Sequence, residues 1–274
     1  MMVTFWPRVN TVLLLVTLLA VIGLFATRAF GGPLDPPGPP TTGTDGVRGP
    51  GTPIDHLPFP ISTAGYYYVT RPLTGTTGQP GITISSSNVT VDLGGFTLGG
   101  GASPGDGISV GAFRNVTIRN GAVRAWGNGI QALACGDCRV DNVQASSNSI
   151  TGFKIGAQSD ISNCNASLNG GLGIFVDSGT VRNCTITENR DGGVTVESNS
   201  FVEGNRVSGN GSTVFLGSLA VEGGLNVIRD NQIVGNTGTD VFIKSGATAN
   251  VLTGNVYCVG SDLGTGTVVT GNWC

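Results

Sequence analysis

The chain has 274 residues, 46 of them glycine, with only 11% charged residues and a net charge of −3. That composition argues against a helical protein. Lysine occurs only at positions 154 and 244, so there is no basic patch and nucleic acid is not an expected partner.

The first element in chain order is the apolar run TVLLLVTLLAVIGLFA, residues 11–26, preceded by Arg8 and followed by small residues up to Ala29. A basic start and an apolar stretch of this length predict a signal peptide over residues 1–29, since a full membrane span needs about 20 apolar residues. An uncleaved N-terminal anchor is the alternative, and it is the one route by which this chain would meet a membrane. Residues 30–53 hold too much Pro and Gly to bury a core and read as a disordered linker. The folded domain is expected over 54–274, with the aromatic GYYYVTRPL, residues 65–73, as an N-terminal cap or first coil. His56, the sole histidine, falls in the segment entering the fold. No Ser or Cys partner motif accompanies it, so it reads as part of the cap rather than of a triad.

From Val91 onward one pattern recurs. VDLGGF returns as IRNGAV, VDNVQA, ISNCNA, VRNCTI, VEGNRV, IRDNQI and LTGNVY, starting at Val91, Ile118, Val140, Ile161, Val181, Val202, Ile228 and Leu252. A second series, GISV, GIQA, GFKI, GIFV, GVTV and DVFI, keeps step with it. A unit of 20 to 27 residues without a helical segment cannot close its own core, so it must stack on its neighbours. A leucine-rich repeat would show its Leu signature, and a propeller blade would be about twice as long. What remains is a right-handed parallel β-helix of about eight coils.

Equivalent positions then become columns along the axis. Val91 to Leu252 form one inward column; Phe96, Val123, Ala145, Ala166, Ile186, Val207, Ile233 and Tyr257 form a second. Ile82, Ile108, Ile130, Phe153, Ile174, Val194 and Val241 form a third. Asn120, Asn142, Asn163 and Asn183 share a bend position, continued by Gly204, Asp230 and Gly254. Asn148, Asn169, Asn189, Asn210 and Asn236 make another ladder before the glycine of the second series. Asn suits both because it tolerates left-handed backbone and its amide bonds neighbouring backbone or stacked Asn.

The segments NVTVDLGGFTL, residues 88–98, and NVTIRNGAV, residues 115–123, with the later VRNCTIT and VEGNRVSGN units, resemble secreted right-handed parallel β-helix repeat proteins of the pectate-lyase-like superfamily. The likeness runs from about Ile61 to the C-terminus and is specific for fold. That superfamily includes polysaccharide lyases, glycoside hydrolases, epimerases and proteins of no known chemistry. Lyase or epimerase action on uronic-acid polymers would imply a base at the sugar C5 and a cation, or Ca²⁺, offsetting the carboxylate. Ca²⁺ enters only in that case, and no other cofactor is indicated.

The outward position after the first inward residue reads Asp92, Arg119, Asp141, Ser162, Arg182, Glu203, Arg229, Thr253, with Arg139 and Asp160 one step earlier. Near-alternation of sign predicts ion pairs between adjacent coils: Asp92–Arg119, Arg119–Asp141, Arg182–Glu203, Glu203–Arg229 and Arg139–Asp160. Such pairs avoid stacked like charges and contribute about 0 to 1 kcal/mol each. Arg119, Arg182 and Lys154 are the candidate groups for a lyase, but the catalytic and substrate-binding residues stay unassigned and no metal-ligand set emerges. Asp106, Glu188 and Asp191 do not establish a glycosidase pair. Outward aromatics among Phe175, Phe201, Phe215 and Phe242 would stack on sugars; the plainer reading packs them beneath loops.

Cys135 and Cys138 in ACGDCR lack a following helix or a second CxxC, and an exported chain favours a loop disulfide there. A Cys258–Cys274 bridge would pin the last coil, where Trp273 helps cover the end. Cys164 and Cys184 occupy one repeat position in adjacent coils. Their parallel Cβ atoms about 4.8 Å apart exceed disulfide range, so they are expected as free thiols. The functional expectation is an exported protein that binds extracellular or cell-envelope polysaccharide. A noncatalytic structural or adhesive solenoid, or an active lyase or epimerase on uronic-acid polymers, is the alternative.

Overall fold

A computed structural model describes residues 51–76, 78–101, 105–211 and 217–274; the expected signal peptide and nearly all of the expected linker lie outside them. The described residues form strands and turns without a helix, and none contributes a helix long and apolar enough to cross a membrane. The first strand, Thr52–Ile54, already pairs in parallel with Gly65–Val69.

Each coil contributes strands to three faces. Successive coils keep one order: Asp160–Ser162, Asn165–Ser167 and Leu172–Val176 are followed by Thr180–Arg182, Thr185–Thr187 and Gly192–Val196. Every strand pairs in parallel with its counterpart one coil on, as in Ile161↔Val181, Ala166↔Ile186 and Ile174↔Val194. On the third face a three-residue strand runs buried, half-buried, buried, as at Ile108–Val110 and Phe153–Ile155, and on the other two it runs half-buried, buried, half-buried, as at Asp160–Ser162 and Asn165–Ser167. Alternate β-branched side chains therefore enter the core at each strand, which suits parallel sheets buried on one face. Each fully buried Val or Ile contributes about 1.5 to 3 kcal/mol.

The third face holds ten strands, from Phe59–Ile61 to Gly260–Asp262, so the expected stack of about eight coils extends to about nine. One expectation about the columns needs correction. Phe96 does not stand in the second inward column; Leu98 pairs with Val123 instead. Gly94 and Gly95, at φ 61° and 79°, lengthen that bend and move the register by two residues. Leu219 fills the gap between Val194 and Val241 in the third column.

Corners explain the asparagines. At each bend one residue takes positive φ, and the next turns its side chain inward. Asn163 and Asn183 (φ 55° and 53°) precede Cys164 and Cys184; Gly204, Asp230 and Gly254 (64°, 56° and 66°) precede Asn205, Asn231 and Asn255. At the second corner Leu168, Glu188 and Gly209 (57°, 56° and 68°) precede Asn169, Asn189 and Asn210. The third has Asn199, Leu225 and Ala249 before Ser200, Asn226 and Asn250. Inward amides at a corner satisfy backbone groups that the bend removes from the strand ladders, and a buried polar group left unpaired is costly.

Among these, Asn148, Asn169, Asn189 and Asn210 are at most 1% exposed. Each Oδ1 accepts the backbone N–H one rung earlier, and each Nδ2 donates to the next Asn Oδ1, at 2.8 to 3.2 Å. Asn236 closes the series by donating to Asp240 at 3.1 Å. Trp126 opens it: its backbone N–H donates to Asn148 Oδ1 at 3.0 Å and its indole Nε1–H to the Leu98 carbonyl at 3.0 Å. The fully buried ring needs glycines around it, since a Cβ on Gly75 or Gly81 would lie 2.1 or 2.9 Å from the indole.

Candidate functional site

Two outward columns run along the first face. One reads Tyr68, Asp92, Arg119, Asp141, Ser162, Arg182, Glu203, Arg229; the other reads Tyr66, Thr90, Thr117, Arg139, Asp160, Thr180, Phe201. Three of the expected coil-to-coil pairs form: Arg119–Asp92 at 2.8 Å, Arg229–Glu203 at 2.7 Å and Arg139–Asp160 at 3.8 Å. The other two do not. Arg182 reaches diagonally to Asp160 at 3.1 Å instead of to Glu203. Asp141 accepts from the Ser162 hydroxyl at 3.0 Å and the Asn163 amide at 2.8 Å rather than from Arg119. A long guanidinium swings between columns, so register alone does not choose its partner.

Where the first face bends into the second, two shallow depressions meet at Asn163. One, of about 430 Å³, is lined by Thr97 and by amides of Asn120, Asn142, Gln144, Asn163 and Asn165. The other, of about 300 Å³, is lined by Arg139, Asp141, Asp160, Ser162, Asn163 and Arg182. Together they make a trough parallel to the axis over five rungs, about 19 Å at the strand spacing. Amides and hydroxyls offer donors and acceptors in a row.

The lyase candidates do not converge. Arg119 and Arg182 share a column three rungs apart, about 14 Å, and each is engaged by an aspartate. Lys154 stands on the third face, its Nζ 5.8 Å from the Phe175 ring centroid. No single sugar ring reaches all three. The aromatics are likewise dispersed: Phe201 lies under Arg229 at 4.8 Å, Phe242 is buried, and Phe215 lies outside the described residues. Tyr66 and Tyr68, in the segment expected as cap or first coil, stack at 6.2 Å with Arg119 above Tyr66. Their signal was the alternation in GYYYV, with Tyr67 inward. His56 is exposed at the start of the fold, bonded to Asp55 at 2.7 Å.

After the third face, Asp177, Glu197 and Glu222 follow one another in a column that ends at Lys244, which pairs with Glu222. Among the described residues no group of three His, Cys, Asp or Glu is placed to hold a metal ion. Burial, then the neighbouring Glu222 and Asp177, hold the Glu197 carboxyl above its ordinary value. A carboxyl raised on folding favours the protonated folded state, so its stability contribution is greatest below the unfolded value and declines as pH rises through the folded one. Glu197→Gln is expected to flatten the fall of Tm with rising pH above about pH 4.5, read by thermal melts across pH; an unchanged slope would remove Glu197 as its source.

Cys135 and Cys138 have Cα atoms 6.0 Å apart, and Cys258 and Cys274 4.6 Å apart, separations compatible with disulfides. Cys164 and Cys184 are buried and unbridged. They continue the column of Asn205, Asn231, Asn255 and Asn272, Cys164 Sγ accepting the Val143 N–H at 3.4 Å as an Asn Oδ1 would.

The sequence matches the family described as Right handed beta helix region over residues 76–198 and again over 106–273. No curated protein matches the chain. Among solved structures, the Azotobacter vinelandii mannuronan C-5 epimerase AlgE4 A-module superposes with a TM-score of 0.50 at 14% identity, covering 80% of this chain and 86% of that one. The AlgE6 A-module from the same organism gives 0.49 at 16% identity, covering 81% and 89%. At these identities the likeness is one of fold.

Proposed function

Since this chain belongs to the right-handed β-helix family, we propose that it is exported and binds polysaccharide along the trough between its first and second faces, without transforming it. The observation that carries this is the row of amides and hydroxyls over successive rungs, a periodic surface for a periodic polymer. The mannuronan C-5 epimerase AlgE4 A-module, of like fold, supports polysaccharide as the ligand class. The scattered positions of Arg119, Arg182 and Lys154 favour binding over turnover.

Binding of the full chain to a panel of acidic and neutral glycans tests this. Gln144 is exposed within the trough, so Gln144→Leu keeps its bulk and removes its hydrogen-bonding amide without entering the core. The expected result is about tenfold weaker binding in Gln144→Leu, the equivalent of ~1.4 kcal/mol, with Lys154→Ala on the third face unchanged. Equal loss in Lys154→Ala, or binding by neither parent nor variant, would contradict the proposal. Incubation with uronate polymers and Ca²⁺ is expected to give no unsaturated product absorbing in the ultraviolet.

A further inference from the structure

The charges of the trough are closed upon themselves. Its charged lining is Arg139 and Arg182 against Asp141 and Asp160, two positive and two negative, so the sum is zero. Asp160 lies between both guanidinium groups, at 3.8 and 3.1 Å. Asp141 is held by a hydroxyl and an amide. The adjoining half, from Thr97 to Asn165, has no charged side chain in its lining. Beyond the trough the same face continues the arrangement, Arg119 on Asp92 and Arg229 on Glu203.

A polyuronate carries one carboxylate on every sugar. To lie here it would share Arg139 or Arg182 with Asp160, so that this carboxylate, 26% exposed, would stand beside another negative charge. Like-charge juxtaposition of this kind disfavours a partner strongly. Sugar hydroxyls pose no such conflict, because each both donates and accepts and so matches an exposed primary amide such as that of Gln144 in either orientation.

We infer that the trough selects uncharged glycans over polyuronates. The inference rests on the polysaccharide-binding reading above and narrows it to the ligand's charge. Selection then comes from rejection of the charged competitor as much as from attraction. Because the favoured ligand carries no charge, its binding is insensitive to ionic strength, which screens interactions between charges.

The test uses the full chain and soluble polymers of one backbone type: hydroxyethyl cellulose with carboxymethyl cellulose, and a neutral mannan with polymannuronate. Affinity is measured by calorimetry at low and high NaCl. The neutral member of each pair is expected to bind about tenfold or more tightly than the acidic one, with less than about twofold change between the two salt concentrations. Gln144→Arg, which makes the trough net positive by one, is expected to gain affinity for the acidic polymers, and that gain disappears at high salt. Tighter or equal binding of the acidic polymers to the unaltered chain overturns the inference while leaving glycan binding intact. Failure of every polymer to bind overturns the binding reading itself, so the two failures are told apart.

Discussion

Asn189→Ala is expected to lower the free energy of unfolding by about 3 kcal/mol or more, far beyond the typical effect of an Asn substitution on a protein surface. Asn189 is fully buried. Its Oδ1 accepts both the backbone N–H and the Nδ2 of Asn169, at 3.1 and 2.8 Å. Its Nδ2 donates to the Ala166 carbonyl at 3.0 Å and to Asn210 Oδ1 at 2.9 Å. Alanine strands two donors and a carbonyl in a corner whose neighbouring amides are already committed. Each unsatisfied buried group costs about 1 to 3 kcal/mol. Denaturant titration followed by far-ultraviolet circular dichroism measures the loss. A change below about 1 kcal/mol would mean that water or a shifted rung replaces the ladder.

Trp126→Ala is expected to cost about 3 to 5 kcal/mol, in the range of large-to-small core substitutions. Its ring is fully buried against backbone that glycine keeps bare at positions 75 and 81. No side chain is available there to collapse into the space. The substitution also leaves the Leu98 carbonyl without its indole donor. Trp126→Phe separates the two effects: it keeps most of the volume and loses the hydrogen bond, so it should cost about 1 to 3 kcal/mol. Equal costs for the two variants would show that the cavity contributes little.

How much of this was legible in the sequence follows from the geometry of a coil. Val140, Ile161, Val181 and Val202 recur at nearly constant spacing because parallel strands in register admit no slip without exposing the whole inward set. That made the fold and most inward columns readable. Phe96 misled because two adjacent positive-φ glycines, Gly94 and Gly95, absorb extra chain that composition alone does not reveal. The two Asn ladders looked alike, yet Asn163 carries the positive φ itself, whereas Asn189 follows Glu188, which carries it. That one-residue offset sends the first amide to the surface and the second into the core. The column that joins Cys164 and Cys184 to Asn205 was hidden for a related reason: thiol and amide share a place only because both accept a hydrogen bond there.

The candidate site was less legible than the fold. The sequence showed alternating charge along the first face, but the diagonal from Arg182 to Asp160 depends on side-chain reach. The trough itself joins residues from two faces, such as Asp160 and Gln144, across a bend whose shape no linear pattern records. Lys154 could be placed outward by parity, whereas its separation from Arg119 and Arg182 required knowing which face each strand occupies.

The most direct measurement is a crystal structure of the full chain with a bound neutral oligosaccharide. The account predicts sugar rings lying along the axis over Gln144, Asn163 and Asn165, with the Arg139–Asp160–Arg182 contacts unbroken. Sugar seated on the third face over Lys154 and Phe175, or an arginine pulled from Asp160 to meet the ligand, would contradict it.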